Sequence, residues 1–135
     1  MAKNIIVSNR LPIQLTKLDN SFEFTPTSGG LATGMNSVHK GQNSLWVGWP
    51  GINSDEIDKK TWAPLKKSLK KEGYFPVSLN HKEIEDFYYG LSNKSLWPLF
   101  HYFIEFSVFD EKHWKSYEEV NQKFADSVLL NIEEG

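Results

Sequence analysis

Residues 4–12 read NIIVSNRLP, and this stretch sets the fold class of the chain. Asn4–Ser8 is a short run centred on β-branched residues, which is typical of a strand buried in a parallel sheet. The next residues end the strand, because Pro12 disfavours a helical backbone at Leu11. Arg10 therefore follows the carboxyl end of a predicted strand, where open α/β sheets bind their ligands. Its planar guanidinium suits phosphate oxygens, although a surface salt bridge would explain an arginine here equally well.

Strand and helix patterns alternate along the rest of the chain. Such alternation predicts a layered α/β fold with a mostly parallel sheet. We find no internal repeat or linker, so the 135 residues are expected to form one domain. The chain stops after a helix, where an α/β chain normally enters another strand, so we expect a truncated domain. After the first strand we predict a hairpin-like excursion at 14–24, with its turn at Asp19-Asn20, and a helix from Leu31 to about Lys40. Further strands are predicted at 44–49 and 74–79, and further helices at 61–71 and 81–88. Short helical pieces interrupted at Pro98 are predicted over 91–109, followed by a long helix from Glu111 to about Asn131.

The composition argues against several classes of protein. The chain has 15 basic and 17 acidic residues and a formal net charge of −2, which argues against binding to nucleic acid or to an anionic membrane. It has no cysteine, so it can form neither a disulfide framework nor a thiolate metal site. The apolar run near the amino terminus is too short for the core of a signal peptide. We expect a cytoplasmic protein.

The histidines and the acidic residues carry no metal-binding or hydrolytic signature. The four histidines lack the i, i+4 pairing of a zinc-binding helix, so no metal is expected. His101 lies among aromatic residues and is expected to be a hydrogen-bonded residue of the core or of a cleft. Glu83, Glu85 and Asp86 fit the polar side of a helix, so no pair of catalytic carboxylates can be chosen. The lysines within 66–71 are expected to form a solvated helix face.

Two features leave both a structural and a functional interpretation open. Gly29 and Gly30 precede a predicted helix, so they form either a simple turn or a phosphate cradle built on the first N–H groups of that helix. Their GGxxxG spacing differs from the GxGxxG of dinucleotide-binding loops. Aromatic residues make up 14% of the chain and include five tryptophans. They either fill a core or line a sugar site, because aromatic rings pack on the apolar faces of pyranoses.

A series of motifs in fixed order is far more specific than any single residue. The series resembles the trehalose-phosphate synthases along nearly the whole chain. The motifs are VSNRLP at 7–12, SGGLATG at 28–34, WVGWPG at 46–51, YYGLSN at 88–93, LWPLFHY at 96–102, and WKSY at 114–117 with VN at 120–121 and FAD at 124–126.

The resemblance implies a retaining glycosyltransferase with the B-type fold, in which two Rossmann-like domains face each other across a cleft. Residues 1–135 would be the N-terminal, acceptor-binding Rossmann-like domain, with the C-terminal donor domain absent. The parent enzyme would transfer glucose from a nucleotide sugar such as UDP-glucose to glucose-6-phosphate. The fragment alone would be inactive, and the resemblance implies no metal or other cofactor.

The acceptor-binding residues of the family carry over to this sequence by position. The resemblance implies that Arg10 and Tyr88 bind the phosphate of glucose-6-phosphate. Trp97 would pack against the sugars in the cleft. Trp46 or Trp49 would also border the acceptor site. No catalytic side chain is assigned.

On the donor side, the resemblance assigns only Gly29 and Gly30, whose backbone N–H groups would approach the donor diphosphate. Two alternatives stay open: another B-type glycosyltransferase with a different acceptor, and a non-catalytic carbohydrate-binding module built around the tryptophans. A module would not need a diphosphate loop, which counts against it. The sequence does not fix the donor base, the oligomeric state (a homo-oligomer stays open), a following phosphatase domain, or the role of residues 14–24.

Overall fold

The computed structural model describes residues 4–41 and 43–134 and has the predicted layered α/β architecture. The strands are β1 (Asn4–Arg10), β2 (Ile13–Lys17), β3 (Phe22–Pro26), β4 (Ser44–Trp49) and β5 (Tyr74–Pro76). The helices are α1 (Gly30–Gly41), α2 (Lys59–Lys71), α3 (His81–Glu83), a π-helical segment (Ile84–Leu96), α4 (Trp97–Phe100) and α5 (Glu111–Glu134), with 3₁₀ turns at Ser54–Glu56 and Ile104–Phe106. Within the described residues, β1, β4 and β5 form a parallel sheet in the order β1-β4-β5, while β2 and β3 form a separate antiparallel pair.

The middle strand, β4, is the most buried strand of the parallel sheet. Trp46 and Val47 have no solvent exposure, which agrees with the continuous apolar run of a strand covered on both faces. Gly48 allows β1 to come close, since a Cβ at this position would lie 2.9 Å from the backbone oxygen of Ser8. Arg10 pairs with Trp49, so the carboxyl ends of β1 and β4 meet at one edge of the sheet.

The predicted hairpin is confirmed as β2 and β3. The backbone N–H of Leu18 donates to the oxygen of Ser21 at 2.8 Å and closes the turn around Asp19-Asn20. Ile13 at the start of β2 is fully buried, which anchors the hairpin to the sheet. The strand predicted at 74–79 is shorter than expected and ends at Pro76. β5 lies at the edge of the described parallel sheet, where a proline is tolerated.

Helices cover both faces of the parallel sheet. Neighbouring residues of β4 point to opposite faces, so Trp46 packs with Leu65 and Leu69 of α2, whereas Val47 packs in a second cluster with Phe124 of α5. The lysines of α2 are exposed, as predicted. No helix within 4–41 and 43–134 is long and apolar enough to cross a membrane.

The short helical pieces predicted over 91–109 are present as α4 and the 3₁₀ turn at Ile104–Phe106, but the predicted interruption at Pro98 is wrong. The elements α3, the π-helical segment and α4 follow one another directly from His81 to Phe100. The N–H of Trp97 donates to the oxygen of Ser92, five residues back. This π-type spacing replaces the i−4 bonding that a proline disrupts, so Pro98 is accommodated as the second residue of α4.

The assignment of three acidic residues to a polar helix face is wrong for two of them. Glu83 and Asp86 are buried, whereas Glu85 is exposed as expected. The buried pair faces α5, which supplies Lys123 to Glu83 and Lys112 to Asp86. Buried carboxylates are stable in a fold only when such partners accompany them.

Candidate functional site

Arg10 is the last residue of β1, and its side chain is exposed at the carboxyl edge of the sheet. The hydroxyl of Ser8 donates to the backbone oxygen of Arg10 at 2.7 Å and accepts from Nε1 of Trp46 at 2.9 Å, which fixes the backbone at the end of the strand. The guanidinium lies over Trp49, with Cζ 5.8 Å from the ring centroid. A cation over an indole face is attracted by the ring electrons and remains open to an anion from the solvent side.

Gly51 has no side chain, and this leaves space for the guanidinium of Arg10. Its φ is +88°, and a Cβ at this position would lie 2.7 Å from Nη2 of Arg10. The turn after β4 therefore needs glycine both for its backbone conformation and for the guanidinium beside it. Sequence reasoning missed this contact between Gly51 and Arg10.

Tyr88 reaches the same indole from the π-helical segment. Its ring centroid lies 5.2 Å from that of Trp49 at an angle of 58°, and Tyr89 packs edge-on against Tyr88 at 5.2 Å. Trp49 is buried and fixed, because its Nε1 donates to the backbone oxygen of Ile52 at 2.9 Å. The fold thus brings Arg10 and Tyr88, which lie far apart in the sequence, to one rigid aromatic ring.

The glycine pair lies in a cleft with Arg10. This cleft has a volume of about 550 Å³, and its lining includes Arg10, Gly29, Gly30 and Trp46. Gly30 begins α1, whose first turn contains no acidic residue. The first N–H groups of a helix have no partner within that helix, so this end of α1 favours an anion. A Cβ at Gly29 or Gly30 would meet no atom within 4 Å, so the space around the start of α1 is open.

Trp97 lies outside the core. It is 55% exposed, and its ring stacks on His101 with centroids 4.0 Å apart and planes 17° apart. Nδ1 of His101 lies 2.8 Å from the backbone oxygen of Trp97, which fixes the pair. His101 is exposed, so the core alternative for this histidine is wrong. The described ring contact of Trp97 is with His101 rather than with Tyr88 or Arg10, and sequence reasoning missed this partner.

The two tryptophans with the weaker assignment are both buried. Trp46 packs edge-on against His39 at 5.5 Å between centroids and lines the floor of the cleft beside Arg10. The ring of Trp49 contacts both the guanidinium of Arg10 and the ring of Tyr88. Among residues 4–41 and 43–134, no group of histidine and acidic side chains is arranged to hold a metal ion.

Comparison with known proteins gives a consistent match over nearly the whole chain. The model of Glycosyltransferase family 20 matches residues 2–135. An alpha,alpha-trehalose-phosphate synthase (UDP-forming) of Botryotinia fuckeliana is 41% identical over 133 residues, which cover 97% of this chain and 25% of that protein.

Solved structures of such synthases have the same fold. The alpha,alpha-trehalose-phosphate synthase (UDP-forming) of Burkholderia vietnamiensis superposes on this chain with a TM-score of 0.68 at 27% identity. The match covers 96% of this chain and 26% of the synthase chain. That of Burkholderia xenovorans, in complex with glucose-6-phosphate, gives a TM-score of 0.64 at 25% identity over 93% of this chain and 25% of that chain. The chain thus has the architecture of the N-terminal half of a B-type glycosyltransferase and spans about a quarter of the length of these relatives.

Proposed function

This chain belongs to glycosyltransferase family 20, and we propose that it is the acceptor-binding part of a trehalose-phosphate synthase. The complete enzyme transfers glucose from UDP-glucose to glucose-6-phosphate with retention at the glucosyl carbon. The names of the relatives, which are UDP-forming synthases, support the donor. The relative solved with glucose-6-phosphate supports the acceptor.

The arrangement of Arg10 and Tyr88 around Trp49 carries the proposal. Arg10 supplies a permanent positive charge with several N–H donors, and Tyr88 supplies a hydroxyl. Together they suit a phosphate monoester, whose oxygens accept charge-assisted hydrogen bonds. Each such bond contributes roughly 1.5–3 kcal/mol, so the phosphate rather than the sugar ring dominates recognition of the acceptor.

Trp97 and the glycine pair complete the proposed site. The exposed ring of Trp97 offers an apolar face to a pyranose. Gly29 and Gly30 let the donor diphosphate approach the first turn of α1. In the transfer step, the acceptor hydroxyl forms the new glycosidic bond on the face of the glucose from which the diphosphate departs, and the hydroxyl proton leaves with the departing group.

Catalysis of this step depends on positioning both substrates and on stabilising the negative charge of the departing diphosphate. We propose that residues 1–135 perform the first task for the acceptor and that a donor-binding domain performs the second. The isolated chain is therefore expected to bind glucose-6-phosphate without transferring glucose. A cytoplasmic location remains a prediction.

Two measurements on the 135-residue chain test this function. The first compares the affinities for glucose-6-phosphate, glucose, and other sugar phosphates by calorimetry. Tightest binding of glucose-6-phosphate supports the proposal, tighter binding of a different sugar phosphate indicates a glycosyltransferase with another acceptor, and equal binding of glucose indicates a carbohydrate-binding module. The second measures release of UDP from UDP-glucose with glucose-6-phosphate present. Steady turnover by the isolated chain would contradict the proposed division of the site.

A further inference from the structure

The segment that carries Tyr88 is tied to α5 by two buried carboxylates. Glu83 is 7% exposed and Asp86 is 4% exposed. Nζ of Lys123 lies 2.7 Å from Oε1 of Glu83, and Nζ of Lys112 lies 3.3 Å from Oδ1 of Asp86. Because both lysines belong to α5, the segment is held against this helix at two points.

Glu83 has a complete local explanation. Its Oε1 accepts from the backbone N–H of Asn80 at 3.1 Å, and its own N–H donates to Oδ1 of Asn80 at 2.9 Å. This reciprocal pair caps the start of α3. Glu83 therefore stabilises a helix end, with Lys123 balancing its charge.

Asp86 has no such role in capping. Its Oδ2 is buried and has no hydrogen-bond partner among the described residues. Lys112 forms an ion pair with Asp86, and Nε2 of His113 lies 3.9 Å from Oδ1 of Asp86. A buried carboxylate with so few bonds is costly, so its position depends on the ion pair with Lys112 of α5.

His113 contacts the same turn on the other side of Tyr88. A Cβ at Gly90 would lie 2.9 Å from the ring of His113, so the imidazole packs directly on the Gly90 backbone. Asp86 and Gly90 are four residues apart and enclose Tyr88 between them. The consecutive residues Lys112 and His113 thus hold the turn that carries Tyr88.

We propose that Asp86 is a positioning residue for Tyr88, an inference that rests on the proposed function. Its ion pair with Lys112 holds the 86–90 turn against α5, where His113 packs on Gly90. That fixed turn sets the Tyr88 ring on Trp49, next to Arg10. Without the charge on Asp86 the turn shifts, and the Tyr88 hydroxyl leaves the place where it meets the acceptor phosphate.

Two variants test the proposal on the 135-residue chain. Asp86→Asn removes the charge with little change of shape, and Lys112→Gln removes the partner from a side chain that is 63% exposed. Both are expected to weaken the nuclear Overhauser effects between the Tyr88 and Trp49 rings in the unliganded chain. Both are also expected to lower the ratio of glucose-6-phosphate affinity to glucose affinity about fivefold, within the range of coupling between contacting groups.

Glu83→Gln is the matched control, because it alters the other buried carboxylate of the same region. It is expected to lower the unfolding midpoint and to leave both the ring contacts and the affinity ratio unchanged. If Asp86→Asn does not fold, Lys112→Gln decides, since its site is largely solvated. Unchanged ring contacts in folded Lys112→Gln or Asp86→Asn overturn the proposal, as does an equal loss of ring contacts in Glu83→Gln.

Tyr88→Phe separates failure of this inference from failure of the proposed function. If Tyr88→Phe leaves the affinity ratio unchanged, Tyr88 does not bind phosphate, and the proposed site is wrong at that residue. The ring contacts then still decide whether Asp86 positions Tyr88. If Tyr88→Phe lowers the ratio while Asp86→Asn and Lys112→Gln do not, the positioning role alone is wrong.

Discussion

The guanidinium of Arg10 lies over the indole of Trp49, with Cζ 5.8 Å from the ring centroid. This contact unites the ends of two adjacent parallel strands, because Arg10 ends β1 and Trp49 ends β4. It also places a permanent cation at the sheet edge where α/β domains bind ligands.

Gly51→Ala is expected to weaken binding of glucose-6-phosphate by displacing Arg10. The new Cβ would lie 2.7 Å from Nη2 of Arg10, and the flexible arginine would move away. The positive φ of residue 51 adds a stability cost of about 1–2 kcal/mol. Chemical denaturation and calorimetric titration measure the two effects separately.

Gly73→Ala is the control for Gly51→Ala. Gly73 has a φ of +81°, and its Cβ would meet the His39 ring, away from Arg10. The Gly73→Ala variant should be less stable than the wild type but bind glucose-6-phosphate with the same affinity. Equal affinities of the two folded variants would show that Arg10 does not depend on the space at residue 51.

Trp97→Ala is expected to leave the fold nearly unchanged while weakening sugar binding. An exposed side chain contributes little to the core, so a loss within about 0.5 kcal/mol is expected. Trp46→Ala, at a position with 0% exposure, is expected to lose roughly 3–5 kcal/mol. Urea denaturation compares the two variants, and a loss at Trp97 as large as that at Trp46 would place Trp97 in the core.

Much of this architecture was predictable from local patterns. Residues 44–49 have the apolar run of a central strand, and the glycines at 29–30 mark the start of α1. The series of motifs predicted the family, and the family match confirms it. These features are encoded within short stretches of sequence, so their identification needed no knowledge of tertiary contacts.

The sequence interpretation was wrong where distant residues decide the outcome. Glu83 and Asp86 have the composition of a solvated helix face, but lysines of α5 neutralise them in the interior. The continuous helical region across Pro98 depends on a π-type hydrogen bond from Trp97 to Ser92 that propensities do not indicate. The contact between Arg10 and Gly51 likewise exists only once β1 and β4 are side by side.

Asp58 is expected to stabilise the folded chain near neutral pH and to lose this effect as the solution becomes acidic. The hydrogen bonds from Thr61 at the start of α2, the backbone bond first, hold the pKa of Asp58 below its ordinary value. A carboxyl with a lowered folded-state pKa stabilises the fold above its unfolded pKa of about 3.9 and loses this effect as pH falls through the folded value. Asn caps helices about as well as Asp but does not titrate.

The measurement is the thermal midpoint of the wild type and of Asp58→Asn between about pH 6 and about pH 3. The wild type should lose more on acidification than the variant, because the other carboxylates contribute equally to both. Parallel curves for the two proteins would show that the cap of α2 does not respond to the charge of Asp58.

The most direct test of the central claim is the affinity of Arg10→Ala for glucose-6-phosphate, measured by calorimetry on the 135-residue chain. Loss of a charge-assisted phosphate contact should cost roughly 1.5–3 kcal/mol of binding free energy, while binding of glucose stays unchanged. Lys66→Ala, which removes an exposed positive charge on α2, should bind like the wild type. An Arg10→Ala chain that is folded and binds glucose-6-phosphate as tightly as the wild type would contradict the assignment of this site.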